Sequence, residues 1–155
     1  MDQNFPLSEL VKLFPSDESC LDEIKKLRYP KGIYCGLCRK ITKHYKIRNR
    51  TAYSCELCRN HVYPLSGTIF EKSATPLRLW FYAMFLMTHT RGKISARKLQ
   101  KELGVTYKTA WRMSHLLYSL MEHNKGDLLK ESERVFAFTF FKKLEFKFVE
   151  KKEQE

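Results

Sequence analysis

Cys35-Gly36-Leu37-Cys38 and Cys55-Glu56-Leu57-Cys58 are the stretches on which the fold turns. Sixteen residues separate the two Cys-x-x-Cys pairs, a spacing within the range of structural zinc sites. A tight turn in each pair lets both sulfurs converge on one ion. Cys35, Cys38, Cys55 and Cys58 together offer four thiolates in a tetrahedron, with metal–sulfur distances of about 2.3 Å. Between the pairs, Lys43-His44-Tyr45-Lys46-Ile47-Arg48 and Thr51-Ala52-Tyr53-Ser54 are rich in β-branched and aromatic residues, with Asn49-Arg50 where a hairpin must turn. The order knuckle, strand, turn, strand, knuckle predicts a zinc ribbon. An all-cysteine site leaves no open position for water, so the expected Zn2+ is structural.

Other readings of the same cysteines exist. Two disulfides could use all four, but nothing in the chain looks secreted. A thioredoxin-like motif sits in a βαβ unit and would not come twice in a hairpin frame. His44 and His61 lie near enough to replace a cysteine, although with four thiolates present they read as strand or surface residues. Cys20, on a helical stretch, reads as a small buried apolar side chain.

The length of 155 residues allows one domain or two small ones. No apolar run approaches eighteen residues, so no membrane span is expected, and Met1-Asp2-Gln3-Asn4-Phe5 lacks the basic start of a signal peptide. Five cysteines fit a reducing compartment, four on zinc and one left over. The net charge of +12 is unevenly spread: residues 28–121 hold eighteen Lys or Arg against three acids. Such a local excess suits a partner rich in phosphate, though a solvated basic face is the plainer alternative.

Leu7 to Phe14 reads as a brief helix. Ser16 then caps a second, carrying Leu21, Ile24 and Leu27 inward and stopped by Pro30. His61 to Phe70 reads as a further strand against the ribbon, with a turn at Ser66-Gly67. Thr75 and Pro76 are expected as N-cap and first residue of a buried helix, Leu77 to Thr90, with Trp80 in the core. After Gly92, Ser95 caps a helix over Ala96 to Leu103, with Leu99 and Leu103 inward and Arg97, Lys98 and Lys101 outward. Gly104 makes the turn, and Thr106 caps a last helix to about Met121, with Ala110, Met113, Leu117 and Leu120 inward. Helix, Gly-containing turn, helix is the helix-turn-helix pattern. Its outward residues Tyr107, Lys108, Trp111 and Arg112, together with Thr106, occupy positions that meet bases and phosphates in a major groove. Packing of Trp111 on Trp80 or Tyr82 is the competing reading. Beyond Glu122, Asp127 to Arg134 is polar and Val135 to Phe148 has strand propensity.

These residues resemble the N-terminal region of DDE-type, ISXO2-like bacterial insertion-sequence transposases, in which a zinc ribbon precedes a helix-turn-helix. The resemblance covers residues 5–123. It rests on Cys20-Leu21 … Leu27-Arg28-Tyr29-Pro30, the cysteine pairs, Ser66-Gly67-Thr68-Ile69-Phe70, Pro76-Leu77-Arg78-Leu79-Trp80-Phe81, and Leu103-Gly104-Val105-Thr106-Tyr107-Lys108-Thr109-Ala110-Trp111-Arg112-Met113. Ser114 departs from the family's inward leucine, which would loosen the last helix slightly. In the family the next strand carries the first catalytic aspartate. Here Glu131-Ser132-Glu133-Arg134-Val135-Phe136-Ala137 stands instead, and no aspartate follows Asp127. Two-metal phosphoryl transfer needs several convergent carboxylates.

The expectation is therefore an α+β chain: an N-terminal helical segment (1–30), a four-cysteine ribbon of β-hairpins (31–72), a helix-turn-helix unit (73–123) and a divergent tail (124–155). The resemblance implies a non-enzymatic, truncated transposase that recognises double-stranded DNA at transposon ends. It would be cytoplasmic and nucleoid-associated, and would pair with itself or with a full-length transposase. A stand-alone transcriptional regulator or protein-interaction adaptor is the alternative.

Overall fold

The computed structural model describes residues 7–90 and 92–121. Helices α1 (Leu7–Leu13) and α2 (Asp17–Arg28) come first. Five short strands follow: β1 (Ile33–Cys35), β2 (Lys40–Thr42), β3 (His44–Lys46), β4 (Tyr53–Cys55) and β5 (His61–Val62). Helices α3 (Leu77–His89), α4 (Ala96–Leu103) and α5 (Tyr107–Met121) complete an α+β chain in which ribbon precedes helices. The tail segments 127–134 and 135–148 and the side chain of Leu120 lie outside the described residues.

Helix α2 starts at a reciprocal cap. The Ser16 side chain accepts the Ser19 amide at 3.2 Å, and the Ser19 side chain accepts the Ser16 amide at 3.2 Å. Asp17 and Glu18 in the first turn and Lys25, Lys26 and Arg28 in the last all complement the helix dipole. Its inner face buries Cys20, Leu21 and Ile24. Burial pushes the Cys20 thiol up to about 12, which keeps it neutral among the apolar side chains around it.

The strands form two small antiparallel sheets, β1–β2 and β3–β4–β5. In the first, Ile33 faces Thr42 and Cys35 faces Lys40; in the second, His44 faces Cys55 and Tyr53 faces Val62. Asn49 takes a left-handed φ of 58° in the β3–β4 turn. Gly32 enters β1 at φ 103°, where a Cβ would stand 2.8 Å from the Ile41 methyl, so only glycine fits.

Two strand expectations need correcting. The run 43–48 is not one strand joined to its knuckle: the chain leaves the first sheet at Thr42 and enters the second at His44. The strand expected over 61–70 lasts only two residues. Pro64 has no amide to continue a ladder, and successive turns follow, with the Ser66 amide on Tyr63 O at 3.1 Å and that of Thr68 on Leu65 O at 3.1 Å.

Helix α3 is the centre of the helical part, with α2, α4 and α5 all packed against it. Trp80, Phe81, Ala83, Met84, Phe85 and Met87 are buried. Phe14 meets Phe81 edge-on at 4.8 Å, and Phe70 meets Trp80 at 5.6 Å. One continuous core runs from Leu10 to Leu117 and takes in Tyr53 of the ribbon. The expected Thr75 cap is replaced by a distant one: Asp17 accepts the Arg78 amide at 3.0 Å and its Nε at 3.3 Å. Pro76 stands at the cap position, its carbonyl accepting the Leu79 amide at 3.0 Å. At the other end Gly92, at φ 74°, closes onto Met87 O at 2.8 Å. Among the described residues no helix is long and apolar enough to cross a membrane.

Candidate metal centre and nucleic-acid interface

Hairpins β1–β2 and β4–β5 each enclose one Cys-x-x-Cys turn. The turns are built alike: the Arg39 amide bonds Cys35 O at 2.8 Å and the Arg59 amide bonds Cys55 O at 3.1 Å. Both arginines sit at left-handed φ, 53° and 64°, the position where the chain doubles back after the second cysteine. The second sheet's register brings the turns face to face. Cys35 Sγ is then 3.4 Å from Cys58 Sγ, Cys38 Sγ is 3.9 Å from Cys55 Sγ, and all four sulfurs lie within 4.8 Å of one another.

A tetrahedron with metal–sulfur bonds of about 2.3 Å has sulfurs about 3.8 Å apart. The observed spacings match it, and they are far beyond the roughly 2.05 Å of a disulfide. All four are free thiols. Their electrostatics point the same way. The Thr42 hydroxyl and then the Cys58 amide hold the Cys55 thiol down at about 6, whereas hydrogen bonding with Cys58 and burial push Cys38 up to about 12. Four thiolates cannot gather in this space unless a cation neutralises them. The donor set therefore fits Zn2+, held as a closed structural site with no vacancy for substrate. Neither histidine joins the sulfurs: the His44 Nδ1 bonds Thr42 O at 3.0 Å, and His61 is exposed.

The side chains that support the sulfurs from behind were not visible in the sequence. Thr42 Oγ1 lies 3.1 Å from Cys55 Sγ, and to a metal-binding thiolate, which has no proton, the hydroxyl can only donate. Only the β1–β2 register, which ends β2 at Thr42, brings that hydroxyl across to the opposite knuckle. Tyr53, two residues before Cys55, is buried and donates its hydroxyl to Asp22 of α2. Lys25 lies 4.5 Å over its ring. Arg28 completes the join by donating to Pro64 O at 2.6 Å and to Ser66 O. Helix α2 is thus braced on the ribbon at one end and, through Asp17, on α3 at the other.

The helix-turn-helix residues follow from local rules. Ser95 accepts the Lys98 amide at 3.2 Å, and Gly104 caps α4 in the left-handed region, φ 67°. Leu99, Leu103, Ala110, Met113 and Leu117 are buried. Arg97, Lys98, Lys101, Thr106, Tyr107, Lys108, Trp111 and Arg112 are all exposed. Thr106 is engaged in its own cap, accepting the Thr109 amide at 3.3 Å and bonding the Thr109 hydroxyl at 2.9 Å. Trp111 does not pack on Trp80 or Tyr82. It is 52% exposed and stacks on His115, centroids 5.0 Å apart and rings 8° from parallel. Its spacing, one helical turn beyond Trp111 on the outward face, was the available signal for His115. Ser114 leaves no loose end, since its hydroxyl donates to Trp111 O at 2.9 Å.

Residues 15–61 match a family described as the transposase zinc-ribbon domain, of the IS1595 type. The ribbon is of the transposase type. That match opens at residue 15, beside the Ser16 cap, so it includes α2 with the knuckles it braces. The chain is also 34% identical over 104 residues to a Halobacterium salinarum protein described as an uncharacterised protein in transposable element ISH50. That stretch is 66% of this chain and 35% of the relative, and it is too long to lie within the ribbon alone. No solved structure matches the chain. The transposase zinc ribbon and the insertion-element relative together tie the chain to a transposase-related role.

Proposed function

We propose that residues 31–123 are the DNA-recognition part of an insertion-element transposase, binding duplex DNA at transposon ends, and that they do no chemistry themselves. Helix α5 would enter the major groove, with α4 against the backbone and the zinc ribbon as a rigid neighbour. The observation that carries this reading is the sorting of α4 and α5: apolar residues face α3, and five exposed Lys or Arg plus Tyr107 and Trp111 face out. The basic excess over residues 28–121 supplies the attraction to phosphate. Among the described residues the one metal-ligating cluster is the four cysteines, a closed site unsuited to phosphoryl transfer. A second copy or a full-length transposase would be the protein partner at paired ends, and DNA would set its place in the cell.

A regulator or adaptor whose ribbon contacts protein is favoured by one feature: Tyr34 and its cross-strand partner Ile41 are exposed, as is Leu37 at the knuckle tip. Substitution separates the roles. Lys98→Ala or Lys101→Ala should weaken binding to every duplex alike and flatten the salt dependence by about one counterion each. Lys108→Ala or Arg112→Ala should also erode discrimination between sites, by about 1–3 kcal/mol per lost base contact. Equal losses on selected and random DNA for all four variants would remove α5 as the reading helix.

A further inference from the structure

Tyr107, Trp111 and His115 stand at i, i+4 and i+8 on the outward face of α5. Eight residues of helix advance about 12 Å, the rise of three to four base pairs. The exposure of this stripe is costly unless something covers it, for Tyr107 and Trp111 are 49% and 52% exposed. One face of the indole is already occupied by the His115 ring, which fixes the side chain's direction and leaves its edge and its other face open. In a major groove the base edges present hydrogen-bonding groups and a single apolar group, the thymine 5-methyl. An open, pre-oriented apolar ring can gain contact energy there and nowhere else among the base edges.

We infer that Trp111 reads a thymine methyl, with His115 as the positioning residue that holds the indole, so that the DNA site carries thymine opposite the second turn of α5. This rests on the reading of α5 as the groove-entering helix. Lys108 and Arg112, each one residue on from an aromatic of the stripe, then serve phosphate or guanine beside that thymine. A rigid ring loses little freedom on binding, which is why a stacked tryptophan suits the task better than a flexible side chain.

The test uses the full zinc-loaded chain and duplexes selected by it from a random-sequence pool. Thymines in the selected duplex are replaced singly by deoxyuridine, which removes only the methyl group. At one or two positions this should weaken binding three- to tenfold. Trp111→Ala should bind the thymine and uracil duplexes equally while keeping the salt dependence of the parent. His115→Ala should lose affinity but retain part of the thymine preference, and His115→Phe should restore the affinity by restoring the stack. Both positions are exposed, so helix content by circular dichroism should not change. Equal binding of thymine and uracil duplexes by the parent chain would overturn the inference while leaving DNA recognition intact, as would a preference that survives Trp111→Ala. Failure to bind any duplex would overturn both.

Discussion

Replacing Thr42 with valine should loosen zinc without unfolding the ribbon. Valine keeps the β-branch, the volume and the pairing with Ile33 that ends β2. It removes only the hydroxyl that donates to Cys55 Sγ across 3.1 Å. That hydroxyl is the largest of the influences holding the Cys55 thiol down at about 6. Outer-shell hydrogen bonds of this kind change metal affinity by about 10- to 100-fold. Thr42 is half-buried, so water can partly replace it, and the lower end, roughly tenfold, is expected. A cysteine must give up its proton to hold zinc, so affinity falls as pH falls, and a thiolate that has lost a donated hydrogen bond takes its proton back more readily. In Thr42→Val the loss sets in at higher pH, so zinc release on acidification should move up the scale. The assay is competition with a colorimetric zinc chelator, repeated between pH 5 and 8. Thr42→Ser, which keeps the hydroxyl, should behave like the parent. Equal affinity and equal release midpoints for the valine variant and the parent would refute the reasoning.

Cys20→Ser should keep one zinc per chain yet melt several degrees lower, because it puts a hydroxyl into the core where the thiol is fully buried, at about 1–3 kcal/mol. Metal content and thermal melts read the two effects separately. Gly104→Ala meets no atom within 4 Å, so its cost is the left-handed backbone alone, about 1 kcal/mol; a loss above about 3 kcal/mol by urea unfolding would mean the α4–α5 turn is tighter than described. Asp17→Asn removes a charged cap from the start of α3, but both partners of its ion pair with Arg78 are about half exposed. Screening then limits the loss to under about 1 kcal/mol, which equilibrium unfolding at low salt would register as a slightly lower midpoint.

What could be read from the chain alone was whatever is fixed locally. The cysteine spacing implied the knuckles, Ser16 and Ser95 marked helix starts, Gly104 marked the turn, and the all-round apolar run placed Trp80 inside. What could not be read depends on contacts distant in sequence. Asp17 caps a helix sixty-one residues away, and Thr42 reaches Cys55 only after two registers are set. Residues 61–70 read as a further strand with a turn at Ser66-Gly67, but Pro64 lacks the amide a ladder requires and the strand ends at Val62. Trp111 could have faced either way on pattern alone. Its neighbours Ala110 and Met113 take the inward positions, so the indole is left outside.

The brace formed by α2 has a consequence for how such proteins can exchange parts. A ribbon lifted out at Ile33 would leave Tyr53 without its acid and Pro64 and Ser66 without the guanidinium that ties them. If α3 were carried along with the ribbon, it would lose the carboxylate at its own head. Any workable graft must carry the chain from Ser16 onward, and a recipient that supplies its own second helix needs an acid to meet the incoming Arg78. Recombination between related elements would then tolerate junctions upstream of Ser16 far better than junctions between Arg28 and the first knuckle. Chimeras built on either side of that helix would show the bias directly as a difference in soluble yield.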